Sequence, residues 1–399
     1  MTKYGRGGLL AIIPFILLAA NLRPAITTVG PLVADIQAST GLSGTALGLL
    51  SSLPILAFAV FAPLAHFGRK LGIERTIVAA MLLLFAGILL RSAGPISTLF
   101  VGTLMAGAGI AVGNVLAPSL IKRDYPDRVK SMTSVYAVVL TLSAAVASGV
   151  AVPFAHWLSS GWQGALGVWA ILALLAAIAW MPVAFRGGPQ LAEEPETAGS
   201  TPVWRSPLAW FVTAFMGLQS LGFYVAVAWF PTIFQDNGHD PAEAGLLITI
   251  FQLLSLAASA ALPLLLGQRK DQRVLAAIAS LGMALGVTGL MLWPALTYLW
   301  VVLMGCGSGA CFPLALAFIS LRSADHREAA SLSLMSQSLG YLLAAFGPIL
   351  VGFAHDLAGS WTIPLAGLVV LAIMQSLVGY QAGRNKTVSE NRPPSASVR

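Results

Sequence analysis

The sequence predicts an all-α membrane protein of twelve transmembrane helices arranged as two six-helix, pseudo-symmetric bundles. Three observations carry that prediction. The 399 residues are 57% hydrophobic and only 9% charged, with a mean hydropathy of +0.83. Long apolar stretches recur from end to end, and the basic residues fall almost entirely in alternate gaps between them. A soluble domain carries about a quarter charged residues, so this chain lacks the polar surface needed to face water. A single soluble globular domain is excluded. So are a disordered scaffold and, despite a pI of 9.7, a nucleic-acid binder, because the charges are too few and the apolar residues too many.

Crossing a bilayer takes about 20 apolar residues. The first half offers spans at 9–36, 44–67, 74–92, 98–121, 131–154 and 163–185. The first follows Lys3 and Arg6, is too long for a signal-peptide core and has no clean cleavage site, so it is expected to stay as a helix. The second ends at Arg69 and Lys70, and the third begins near Arg75. From Ile77 to Leu90 the third has neither charge nor alternation, which argues against a β-barrel strand. The fourth holds a run of small residues from Gly102 to Gly113, with no P-loop Lys and no flanking strand, as close helix contact requires. The fifth follows Arg128 and Lys130, and the sixth is uncharged from Val168 to Val183.

The break at 186–206, with Glu193, Glu194, Glu196, Gly199 and Pro202, reads as a linker between bundles 1–185 and 207–381. The second bundle has spans at 207–234, 242–267, 274–293, 297–321, 330–353 and 361–381, and 382–399 is expected to be a disordered cytoplasmic tail. Cys306 and Cys311 lie about 140° apart on one helix, so they form no local disulfide, and they do not resemble a metal site.

With twelve spans, both termini share a side. All the Lys and Arg except Arg23 and Arg91 lie on it, so that side is cytoplasmic by the positive-inside rule. The opposite loops hold Arg91 and, near span ends, Asp35, Asp236, Asp240, Glu243 and Asp356. A multi-pass protein of a bacterial inner membrane is expected, with both termini in the cytoplasm. The net charge of +7 is accounted for by this topology and by anionic inner-leaflet lipid, so no nucleic-acid partner is needed.

The halves repeat. Phe154-Ala155-His156-Trp157-Leu158 is matched 199 residues later by Phe353-Ala354-His355-Asp356-Leu357, Trp162 by Trp361, and Arg123 by Arg322. Near the start of each half Pro31 pairs with Pro231, and Arg69-Lys70 with Arg269-Lys270. Parallel repetition of six helices is the mark of transporters whose two bundles rock about a midplane site.

Twelve spans, a central linker and basic loops after spans two and eight resemble the major facilitator superfamily. Leu22-Arg23-Pro24, Val29-Gly30-Pro31-Leu32, and Gly113-Asn114-Val115-Leu116 leading to Leu120-Ile121-Lys122-Arg123-Asp124-Tyr125-Pro126 are similar, within it, to the cyanate and 2-nitroimidazole transporter family. The likeness is strongest in the first half. It implies that fold and a transported cyanate or 2-nitroimidazole-like solute. In one place the sequence departs: the superfamily's loop after span two has an Asp before Gly-Arg-Lys, whereas here Pro63-Leu64-Ala65-His66-Phe67 precedes Gly68-Arg69-Lys70. His66, Arg69, Lys70 and Arg123 are therefore the gating candidates, with the charge latch left open.

Arg23 is the single charge deep within a span. It lies 14 residues past Leu9, about 21 Å along a helix, too deep to snorkel easily, and placing it there costs about 2.5–3.5 kcal/mol. A substrate anion or electron-rich group would satisfy it. Alternatively it bonds backbone carbonyls at a helix break, since Pro24 deprives the Ala20 carbonyl of its donor. Thr27 at i+4 shares a face with Arg23, and Asn21 lies about 200° away. Further substrate-binding candidates are Asn114, Tyr136, Gln219, Phe223, Tyr224, Gln252, Gln337 and Tyr341, polar or aromatic residues in spans four, five, seven, eight and eleven. The same types also hold membrane helices together, and both roles stay open.

The leading function is a secondary transporter moving a small anionic or polar solute by alternating access, as a monomer without cofactor or metal. A drug or multidrug exporter of neutral compounds is the alternative. An intramembrane enzyme would need paired acids, a His cluster or a Ser/His constellation at depth, and one arginine is no such set.

Overall fold

The computed structural model describes residues 8–61, 72–185, 203–266 and 271–389, and every regular element among them is helical. Among the described residues, eleven helical segments are long and apolar enough to cross a bilayer. Gly44–Phe61 stands where the second span is expected, and the rest of that span lies outside the described residues. Helix ends follow local chemistry. The eleventh span, His326–Ala358, opens on a reciprocal cap in which Asp325 accepts from the Glu328 amide at 2.8 Å and Glu328 accepts from the Ala324 amide at 2.7 Å. It closes on Gly359 in the left-handed region, φ 62°.

The sixth span shows how these helices sort their residues. Ala170, Ala173, Ala176 and Ala177 are buried, while Ile171, Leu175 and Ile178 are exposed. Small residues inward and large apolar residues outward invert the soluble pattern, because lipid solvates Leu as well as a core does and close helix approach supplies the packing energy.

Three features differ from the sequence expectation. The first span, expected as one helix over 9–36, is a series: Gly8–Asn21, Pro24–Thr27, a 3-10 turn Gly30–Leu32, then Val33–Thr40. Pro24 and Pro31 each remove an amide hydrogen, and the bonds tighten to i+3 where Leu22 reaches Ala19, Val29 reaches Ile26 and Leu32 reaches Val29. The sixth span is likewise interrupted at Val168, between Gly161–Gly167 and Trp169–Phe185. Third, Arg91 is not a loop charge; it closes the third span, Ile73–Arg91, and is fully buried.

Part of segment 382–389, placed in the tail by the sequence, is packed in the structure. Val388 is fully buried in the second core with Val203, Phe215 and Phe318, and its amide donates to the Arg322 carbonyl at 2.7 Å. Most of the linker, 186–202, and the last residues, 390–399, lie outside the described residues.

The chain divides into two compact units, with one boundary at Glu193–Glu194 inside the expected linker and a further segment grouped across it. One joins the first six spans to Val227–Gln252, the adjoining ends of spans seven and eight. Its core includes Leu18, Leu22, Ile77, Met81, Leu84, Ile110 and Leu116. The other contains the preceding part of span seven and everything from Leu253 onward, built around Phe215, Phe318, Leu314 and Ala279.

Candidate substrate site

The broken first span sets the geometry. Arg23 falls in the gap after Asn21 and caps the short helix Pro24–Thr27: its carbonyl accepts from the Ile26 amide at 2.9 Å and the Thr27 amide at 3.0 Å. Its residue is half-buried. The flanking residues are tied to neighbouring helices. Asn21 donates to the Leu17 carbonyl at 2.8 Å and to Leu172, in the sixth span, at 3.0 Å. Thr27 donates to the Ala144 carbonyl, in the fifth span, at 3.1 Å. Both side chains are buried, so Asn21 and Thr27 act here as anchors of the segment carrying Arg23.

A second polar chain grows from the same break. Pro31 has no amide to give the Thr27 carbonyl, and Ser148 Oγ donates to it instead, at 3.2 Å. Gln252 Nε2 donates to Ser148 Oγ at 3.0 Å, so Ser148 brings the candidates Thr27 and Gln252 into one network. Gln252 Oε1 is buried and finds no donor among the described residues. Next to it, Thr249 Oγ1 donates to the Ala145 carbonyl at 2.9 Å. Gly30 is required here because a Cβ would collide with the Val227 carbonyl oxygen.

Asn114 and Tyr136 also meet: the phenol donates to Asn114 Oδ1 at 3.1 Å, and the Tyr136 ring packs 6.2 Å from that of Phe15. In the other unit, Gln219 and Phe223 line a cavity of about 10 Å³ with Gly222, Met283, Ser308, Cys311 and Gln375. That is room for roughly one water molecule. Gln219 donates to Ser220 Oγ at 2.6 Å, Tyr224 meets Phe223 edge-on at 5.5 Å, Gln337 donates to Ser333 at 2.8 Å, and Tyr341 packs against the second core.

Of the gating candidates, His66, Arg69 and Lys70 lie outside the described residues. Arg123 lies within 2.8 Å of Glu74 and 2.7 Å of Asp124. Its repeat partner Arg322 does similar work with different groups: it donates to Gln272 Oε1, to the Ala382 carbonyl at 3.0 Å and to Gly383 at 3.1 Å. Burial lowers the Arg322 pKa from its ordinary value; the charge of Asp271 opposes this and that of Arg273 adds to it.

Sequence reasoning passed over Ser148, Gln375, Glu74 and the true place of Arg91. Gln375, which donates to Ser280 Oγ and Cys311 Sγ at 3.1 Å each, is an amide inside a span and had the same signal as Gln219. Ser148 had none, since serine is common in membrane helices and only the broken first span gives it an acceptor.

These features define a class: a polytopic helical carrier with a broken first helix and its charge beside the break. The chain matches the family model described as Major Facilitator Superfamily over residues 15–348 and 215–392. It is 41% identical over 385 residues to the 2-nitroimidazole transporter of Escherichia coli (strain K12), covering 96% of this chain and 98% of that one. It is 43% identical over 380 residues to the uncharacterized transporter YycB of Bacillus subtilis (strain 168), covering 94% of each. The E. coli cyanate transport protein CynX is 28% identical over 370 residues, covering 91% of this chain and 95% of that one. A solved bacterial homologue of the human lysosomal transporter Spinster matches with a TM-score of 0.78 at 14% identity, over 99% of this chain and 100% of that one, a likeness of fold. The chain belongs to the Major Facilitator Superfamily and has its fold. It is a multi-pass membrane transporter of small molecules, not an enzyme.

Proposed function

We propose that this transporter carries a small anionic or electron-rich solute of the 2-nitroimidazole or cyanate kind across a bacterial inner membrane by alternating access, as a monomer with both termini in the cytoplasm. The observation that carries the proposal is Arg23, a half-buried base at the break in the first membrane span, held between the anchored residues Asn21 and Thr27. A guanidinium presents parallel N–H donors that suit the two oxygens of a nitro group, and its charge suits cyanate. The names of the E. coli relatives support the same solutes. Asn114, Tyr136, Gln219, Phe223, Tyr224, Gln252, Gln337 and Tyr341 are the further contacts, and Gln252 Oε1 is a ready acceptor for a solute N–H. Arg123 with Glu74, and His66, Arg69 and Lys70, serve the gate.

The test is flux of 2-nitroimidazole and of cyanate into proteoliposomes, with and without an imposed pH gradient. Wild type carries at least one of them, and Arg23→Ala, reconstituted in equal amount, carries neither. Normal flux through Arg23→Ala would refute the assignment of the site.

A further inference from the structure

Arg91 ends the third span and is fully buried, although a base at a span end ordinarily reaches for water. Direction explains it. Helical side chains lean toward the N-terminus of their own helix, so an arginine on a last turn can point back into the bundle. A Cβ at Gly102 would collide with the Arg91 backbone amide, so the glycine lets the fourth span close over this turn.

The guanidinium reaches two helix breaks at once. Nη1 donates to the Ala25 carbonyl at 2.6 Å and Nη2 to the Leu166 carbonyl at 3.5 Å. Ala25 lacks its usual helical donor because the Val29 amide bonds Ile26 instead. Leu166 lies two residues before the interruption of the sixth span at Val168. Among the described residues no carboxylate lies within ion-pair distance of Arg91, and Nε has no acceptor. A buried charge held by backbone carbonyls alone is costly in a membrane and is kept where it serves a function.

We propose that Arg91 is a positioning residue for transport: it clamps the turn Pro24–Thr27 and thereby fixes the direction of Arg23, two residues before Ala25. Asn21 holds the near side of Arg23 through Leu172, and Arg91 holds the far side. At metal sites, removing an outer partner that orients a ligand costs about 10–100-fold, and a loss of the same order is expected here. The inference rests on Arg23 being the solute contact.

The experiment compares wild type, Arg91→Gln, Arg91→Lys and Arg23→Ala by amide hydrogen exchange at Ile26 to Val29 and by 2-nitroimidazole flux in proteoliposomes. Arg91→Gln speeds exchange there and raises KM about tenfold while the maximal rate per molecule stays within about threefold. Lysine reaches one carbonyl but not both, so Arg91→Lys falls between; it also decides the question if the Gln variant does not fold. Arg23→Ala loses flux. Unchanged exchange in the Arg91 variants overturns the clamp, and faster exchange with an unchanged KM overturns its link to the solute. If wild type carries no 2-nitroimidazole, or Arg23→Ala carries it normally, the site assignment and the positioning role fall together. The exchange comparison then still decides whether the clamp exists.

Discussion

Arg23 and Arg91 are the two bases that stand apart from the basic side of the sequence, and their surroundings differ. Arg23 stands half-buried beside a gap in the backbone, and Arg91 is fully buried against carbonyls at two breaks. The first was legible because charge is so scarce that one deep exception stands out. The second was misplaced because its position near a span end suggests a loop, and neither composition nor spacing tells which way a side chain leans. Thr27, placed on one face with Arg23 by the sequence, meets it through the backbone, since its hydroxyl also reaches the Arg23 carbonyl at 3.3 Å. If Arg23 meets the solute with two parallel donors, lysine cannot reproduce the contact. Arg23→Lys is expected to raise the KM for 2-nitroimidazole about 10–100-fold, the loss of one charge-assisted bond of about 1.5–3 kcal/mol. Initial rates over a concentration series measure it, and a wild-type KM would argue for a simple point charge.

The first span is the element on which the proposed site depends. Pro24 was visible in the sequence and marked a disturbance of the helix there, yet the chain breaks further, into three helical pieces and a 3-10 turn, with Pro31 at the turn. The extra disruption comes from the partners that relieve it: the Ser148 hydroxyl takes up the Thr27 carbonyl and Arg91 takes up that of Ala25. Those partners lie far off in sequence, on the fifth and third spans, and no local pattern announces them. The break in the sixth span at Val168 was missed for the same reason. Gly30→Ala would press a methyl group onto the Val227 carbonyl, which is backbone and cannot swing aside. A loss of about 1–3 kcal/mol is expected from such overpacking, read as a lower Tm of the purified protein. An unchanged Tm would mean that the two segments do not approach so closely.

Across the whole molecule, composition and charge placement were enough for the fold, because a bilayer admits few architectures. The internal repeat carried further than its matched residues suggested. Arg123 and Arg322 both secure the start of a neighbouring helix, one through the carboxylate of Glu74 and the other through the amide of Gln272. Since an amide suffices in one half, Glu74→Gln is expected to keep most of the stability that Glu74→Ala loses, as thermal unfolding of the two variants would show; equal losses would make the charge itself essential. The repeat did not foretell that Val227–Gln252 packs with the first six spans, because the contacts there, such as Thr249 with Ala145 and Gln252 with Ser148, join residues far apart in the sequence. The central claim is that Arg23, beside the break in the first span, holds the solute. Calorimetric binding of 2-nitroimidazole to purified wild type, Arg23→Ala and Arg91→Gln tests it most directly. The account predicts clear binding by wild type, weaker binding by Arg91→Gln and none by Arg23→Ala, whereas wild-type affinity in Arg23→Ala would contradict it.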